Sequence, residues 1–130
     1  MRYTKGSLIY TLEEDFQCDT YTKGCRRKND YAQLYPKGLL KIKKGYSWNG
    51  CSPKFVIFSM VFGTPEGAVI DGNSQTRKAS LVHDAMYQLK AGKRKDADRI
   101  FYRYMREANF KPAWIYYLAV RLFGGNAWKT

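Results

Sequence analysis

SLVHDAMYQLKAGKRKDADRIF, Ser80 to Phe101, decides how the chain folds. The only histidine, His83, stands in it directly before Asp84, and Tyr87 follows one helical turn later. On a wheel of about 100° per residue, Val82, Ala85, Met86 and Leu89 share one arc, the packing face. Asp84 falls roughly opposite the centre of that arc, with Ser80, Tyr87 and Ala91 beside it. His83 sits at the border of the apolar face. Gly92 ends this helix. A second helix starts near Lys93 and runs to about Ala108, with Ala97, Phe101, Tyr104, Met105 and Ala108 as its apolar stripe and Asp98 at the edge. The connection AGKR is short, so the two helices pack as an antiparallel hairpin. In that hairpin Asp98 comes level with residues 84 to 87, within about one turn of His83.

Working outward, Ser74 or Thr76 caps the first helix, because a hydroxyl accepts from the orphan amides of a first turn. Pro112 suits the first turn of a third helix, Ala113 to Phe123, which Gly124 and Gly125 stop. Arg121 is the only charge in that helix, so most of its surface is expected to be buried. The first half reads differently. SLIYTLEE and GLLKIKKGYSW have β-type composition between Gly, Pro, Asn and Asp. YTKGCRRKN is a basic turn or loop, and Pro36-Lys37-Gly38 launches a strand from Leu39 to Lys43. NGCSPK is a tight turn, KFVIFSMVFG an apolar segment of undecided type, and TPEGAVIDGNSQ a loop. The chain is therefore expected to be α+β and one domain over 1–130. Its β-rich region (1–73, strands and loops) packs on a three-helix unit (74–130).

A chain of 130 residues buries a core without metal or disulfide help, and a hydrophobic fraction of 45% excludes intrinsic disorder. Eleven Tyr, seven Phe and three Trp suit a core that reaches an interface. Cys18, Cys25 and Cys51 are odd in number and irregularly spaced, so reduced thiols are expected. With His83 they would make a three-Cys, one-His zinc set, but no C-x-x-C knuckle supports one. No apolar h-region opens the chain, and VIFSMVF and AWIYYLAV are too short to span a bilayer. With 23 Lys and Arg against 11 Asp and Glu, the net charge of +12 favours polyanions, anionic lipid or an acidic protein face. Arg26, Arg27 and Lys28 in the basic loop are candidate contacts, as are Lys95, Arg99, Arg103 and Arg106 on the far side of the second helix. A solvated face accounts for the same charges.

A carboxylate bonded to one imidazole nitrogen fixes the tautomer and leaves the other nitrogen free as a base. His83 and Asp98 are thus a candidate general-base dyad. Asp84 is a candidate to hold a hard cation or a backbone amide, and Tyr87 to bond that same carboxylate. The plainer account is a polar strut between two helices and a solvated aspartate.

His83-Asp84-x-x-Tyr87, Arg94-x-x-x-Asp98-x-x-Phe101-x-x-x-Met105 and Tyr117-x-Ala119-Val120-Arg121-x-Phe123-Gly124-Gly125 occur in that order. Together they resemble a family of tailed phages and prophages, domain of unknown function 1353. WNGCSP, residues 48 to 53, fits its upstream small-residue motif more loosely. The resemblance implies a phage origin and no particular activity. Residues 80 to 101 are also similar to the helical hairpin of secreted-type phospholipases that cleave the middle acyl ester. That likeness implies a phospholipase-like core in which His83 deprotonates water, Asp98 orients it and Tyr87 supports the aspartate. Asp84 would bind calcium, a possible cofactor, with the loop Tyr46-Ser47-Trp48-Asn49-Gly50, of which Asn49 and Gly50 would be ligands. Trp48 stands where that loop's first glycine belongs, and the bracing disulfides are absent.

Three functions follow as expectations. The leading one is a structural component of a phage particle, tail- or baseplate-associated. It would be found in the virion, and in the host cytoplasm during assembly, and would contact other phage structural proteins or itself. The second is a calcium-dependent ester hydrolase acting on phospholipid or another envelope component during infection or lysis. The third is a basic non-virion protein that binds nucleic acid or a host factor.

Overall fold

The computed structural model describes residues 3–5, 10–48, 77–111, 113–123, 125 and 128. The expected caps Ser74 and Thr76, the turn NGCSPK with Asn49 and Gly50, the apolar segment KFVIFSMVFG and the loop TPEGAVIDGNSQ lie outside them. Among the described residues seven short strands precede three helices, so the chain is α+β. The strands are β1 (Tyr3–Lys5), β2 (Tyr10–Leu12), β3 (Phe16–Asp19), β4 (Arg27–Lys28), β5 (Ala32–Leu34), β6 (Leu39–Ile42) and β7 (Ser47–Trp48). The helices are α1 (Arg77–Leu89), α2 (Arg94–Glu107) and α3 (Ala113–Phe123). No helix among the described residues is long and apolar enough to cross a membrane.

The strands form two antiparallel sheets, β1-β2-β7 and β3-β6-β5-β4. Side chains alternate between faces of a strand, and the burial follows that period. Leu40 and Ile42 are buried while Lys41 is exposed, and their partners Leu34 and Ala32 on β5 lie on the same buried face. GLLKIKKGYSW, one stretch in sequence, serves both sheets. The chain reverses at Gly45, whose φ of +95° favours glycine, and β7 leaves β6 to pair with β2. Arg27 and Lys28, expected in a loop, form the edge strand β4.

Trp48 anchors the first sheet to α1. Its buried ring packs on Tyr10 and Tyr3, at centroid distances of 5.6 and 5.9 Å, and its Nε1–H donates to Ser80 Oγ at 3.0 Å. Tyr104 does the same for the second sheet, its hydroxyl donating to the Asp19 carbonyl from α2. The hairpin turns at Gly92, which has φ +69° and packs so closely that a Cβ there would lie 2.9 Å from Asp96 Oδ2 and 3.0 Å from Thr22 Cγ2. Asp96 then accepts the Lys93 amide at 3.0 Å, which starts α2.

α3 departs from expectation. Ala113, Tyr116 and Val120 are buried, one stripe at i, i+3 and i+7, and the helix packs on α2. Trp114, Leu118 and Leu122, the stripe at i, i+4 and i+8, are 58%, 49% and 74% exposed. Lack of charge made the helix look enclosed. Among the described residues it docks through the face of Ala113, Tyr116 and Val120, and Arg121 is not its sole contact with solvent.

Candidate functional site

The hairpin brings His83 and Asp98 together. His83 Nε2 lies 2.7 Å from Asp98 Oδ1, and both side chains are fully buried. The Tyr87 hydroxyl donates to the same Oδ1 at 2.6 Å, and Arg121 Nη1 donates to Oδ2 at 2.8 Å. The imidazole lies between the rings of Tyr87 and Phe101, with centroids at 4.3 and 4.5 Å. Trp128 packs edge-on against Tyr87, 5.1 Å between centroids.

These contacts define the protonation state. Burial pushes the Asp98 carboxyl up, but hydrogen bonds from His83, Tyr87 and Arg121 outweigh it and hold the group below the ordinary carboxylate range. Asp98 is therefore an ionised acceptor, so the proton facing it belongs to His83 Nε2. The Nδ1 lone pair faces away, and Nδ1 is buried without a hydrogen-bond partner among the described residues. Arg121 balances the Asp98 charge and stays on the carboxylate as a 31% exposed guanidinium. Its backbone is held in turn: Arg94 donates to the carbonyls of Val120 and Arg121 at 3.1 and 2.9 Å, among the orphan acceptors of the α3 C-terminus.

Tyr87 corrects one sequence expectation. It bonds Asp98, not Asp84, because its long side chain lies over His83 and is buried. Asp84 is served by other groups: the Tyr46 hydroxyl donates to Oδ2, as does Gln88 Nε2 at 3.2 Å. Burial raises the Asp84 carboxyl above its ordinary value despite the hydrogen bonds from Tyr46 and Gln88 and the nearby His83. Burial and the Asp84 charge also push the Tyr46 hydroxyl up, so it stays a donor. No group of three or more His, Cys, Asp or Glu among the described residues is placed to hold a metal. Calcium takes six to eight oxygens. Among the described residues, one carboxylate whose Oδ2 is taken by two protein donors is too few oxygens for that ion, and the expected ligands Asn49 and Gly50 lie outside them. Cys18 and Cys25 are free thiols, and Cys51 lies outside the described residues.

Sequence reasoning missed Arg121 and Tyr46 as neighbours of the two aspartates. A lone charge in the otherwise uncharged AWIYYLAVRLF was a usable signal, because such a charge is kept for a partner. The phospholipase resemblance sets the loop beginning at Tyr46 beside Asp84, but as an ion loop, and no sequence signal marks the direct bond of the Tyr46 hydroxyl to that carboxylate across 38 residues.

The candidate polyanion contacts divide into separate places. Arg99, Arg103 and Arg106 line a cleft between α2, α3 and the Thr20–Thr22 turn, and Lys95 is exposed one turn before Arg99. Lys28 lines a different cleft with Lys41 and Lys43. Arg26 and Arg27 are exposed and line neither.

A family model described as "Protein of unknown function (DUF1353)" matches residues 28–120, more than half of the chain, and the chain belongs to that family. The match takes in His83, Tyr87 and Asp98 and ends one residue before Arg121. No curated protein and no solved structure matches.

Proposed function

We propose that this member of the DUF1353 family is a hydrolase in which His83 activates water against a carboxylic ester. The observation that carries the reading is the bare Nδ1. A strut between helices would use both ring nitrogens, because a buried polar atom left unpaired costs about 1–3 kcal/mol. Here one nitrogen is fixed by Asp98 and the other, also buried, has no partner among the described residues, the division a general base needs.

Water hydrogen-bonded to Nδ1 gives it a proton as the water oxygen bonds to the ester carbonyl carbon. Asp98 stabilises the imidazolium that forms. The tetrahedral intermediate then breaks its bond to the alkoxide, which takes the proton from Nδ1. Carboxylic acid and alcohol leave, and the ring is neutral again. Tyr87 and Arg121 position Asp98 and do not touch the substrate. The likeness of residues 80 to 101 to the phospholipase hairpin supports a phospholipid or another envelope ester as substrate. The charge of +12 supports an anionic surface. The resemblance to a phage and prophage family supports a use of this reaction in infection or lysis.

The test is hydrolysis of a fluorogenic phospholipid by wild type, His83→Gln and Asp98→Asn, each checked for folding by circular dichroism. Loss of a general base costs about 10²–10⁴-fold in rate. Turnover that falls this far in folded His83→Gln supports the dyad. Equal turnover in wild type and variant, or none in folded wild type across short-chain and long-chain esters, contradicts it.

A second reading has its own observation. The stripe Trp114, Leu118 and Leu122 favours a component of a phage particle, seated against neighbouring subunits through α3. Mass spectrometry of purified particles tests it: the chain stays with them at constant stoichiometry, and its loss on purification contradicts the reading.

A further inference from the structure

We propose that the cleft between α2, α3 and the Thr20–Thr22 turn binds single-stranded nucleic acid. It encloses about 700 Å³ and combines three cations, Arg99, Arg103 and Arg106, with three aromatic rings, Tyr21, Tyr102 and Tyr117. From Arg99 to Arg103 is one turn of α2, an advance of about 6 Å along the axis, and Arg106 continues the row. Lys95 extends it one turn the other way. A row of this kind follows a phosphate backbone.

The rings decide between ligands. Tyr102 and Tyr117 pack at 5.3 Å between centroids, and the Arg103 guanidinium lies 3.9 Å over the ring of half-exposed Tyr21. Unpaired bases stack on aromatic and guanidinium planes. A lipid headgroup or an acidic peptide would engage the cations and leave the rings idle. Paired bases in a duplex keep their faces to themselves. The cleft also carries two carboxylates. Glu107 accepts from Arg103 Nε at 3.1 Å and offsets that cation, and Asp96 accepts the Lys93 amide and keeps its charge. Arg99 and Arg106, with Lys95 beyond, are therefore the cations left for phosphate.

The wall opposite α2 is preformed. Tyr21 holds φ +59°, an uncommon setting for a bulky residue, and the Asp19 carboxylate accepts its amide at 2.7 Å. Thr20 Oγ1 donates to the Gly38 carbonyl at 2.8 Å, and Tyr104 ties Asp19 to α2. A wall already ordered loses little entropy when a ligand arrives. The site shares no residue with the His83 dyad, so either proposal stands without the other.

The test is fluorescence anisotropy of a labelled oligothymidylate across a salt series, with a duplex of equal length and vesicles of anionic phospholipid as competitors. The oligonucleotide binds and outcompetes both. Arg99→Gln and Arg106→Gln each lower the slope of log K against log salt by about 0.7, the share of one phosphate contact on a single strand. Tyr117→Leu weakens binding roughly fivefold or more and leaves the slope unchanged, because it removes stacking and no charge. Arg26→Gln with Arg27→Gln changes little. Circular dichroism verifies the fold of each variant. The proposal is overturned by no binding at low salt, by duplex or vesicles competing equally, or by a loss that follows Arg26 and Arg27 instead of the cleft.

Discussion

Replacing Asp98 by asparagine removes one charge and almost no volume. In wild type Asp98 Oδ1 accepts two fully buried hydrogen bonds, from His83 and Tyr87, and Oδ2 accepts one from Arg121. A charge-assisted hydrogen bond is roughly twice as strong as a neutral one, so the two buried bonds lose about 1 kcal/mol each. Arg121 is 31% exposed and can turn to water, so its pair adds only about 0.5–1 kcal/mol. The cost at neutral pH is therefore about 3 kcal/mol. The pH dependence follows from linkage. Asp98 is held below its unfolded value, so its stabilisation is present above the unfolded carboxylate pKa of about 3.9 and fades as pH falls through the folded value. Asp84 has the opposite sign, its pKa being raised by burial, but it titrates in both proteins and cancels in the difference. Urea unfolding followed by tryptophan fluorescence, at steps from pH 7 toward pH 3, measures the gap. It should be about 3 kcal/mol at pH 7 and shrink in acid. A gap below about 1 kcal/mol, or one that stays constant with pH, would refute the assignment of Asp98 as an ionised triple acceptor.

Three further outcomes follow from other parts of the molecule. Gly92→Ala meets both a left-handed backbone and Asp96 and Thr22, and should cost about 2 kcal/mol or more, whereas Gly24→Ala, at φ +76° with nothing near its Cβ, should cost about 1; equal costs by thermal melting would deny the close turn. Burial pushes the Cys18 thiol up to about 11, leaving roughly one thiolate in a thousand at pH 8, so peptide mapping after alkylation should show Cys18 modified at least about 100-fold more slowly in native than in unfolded protein. Because Tyr46 and Gln88 both hold Asp84 Oδ2 and burial disfavours its charge, replacing chelator by millimolar calcium should leave the melting temperature unchanged, and a rise of several degrees would show an ion bound to the folded state.

Residues close in sequence and regular in period were the legible part. The hairpin follows from two amphipathic stretches and Gly92, and it sets Asp98 level with residues 84 to 87, within about one turn of His83, where the structure brings the two into contact. The bounds of α3 followed from Pro112 and the terminal glycines. The sheets were legible only as composition. β3 alternates, with Phe16 and Cys18 half-buried and Gln17 and Asp19 exposed, but over four residues only, and β4 has two exposed residues and no period. The switch of GLLKIKKGYSW from one sheet to the other depends on a positive φ at Gly45, which composition marks only as a turn. Arg121 on Asp98 and Tyr46 on Asp84 are meetings of distant segments, and a single polar contact leaves no periodic trace. Tyr87 was assigned to the wrong carboxylate because a wheel records where a side chain leaves the helix, whereas a tyrosine hydroxyl ends several ångströms farther on. The exposed stripe of α3 shows the same limit: apolarity in a sequence says what a face prefers, not what covers it.

In the proposed reaction the one histidine of the chain waits as a base, protonated on Nε2 and bare on Nδ1. Because it is the only histidine, long-range nitrogen–proton correlation spectra of histidine-labelled protein report it without assignment. At a pH where the ring is neutral, the expected spectrum is that of a single tautomer with the proton on Nε2 and an unprotonated Nδ1. A proton on Nδ1, or fast exchange between both tautomers, would contradict it and remove the ground for a water-activating dyad.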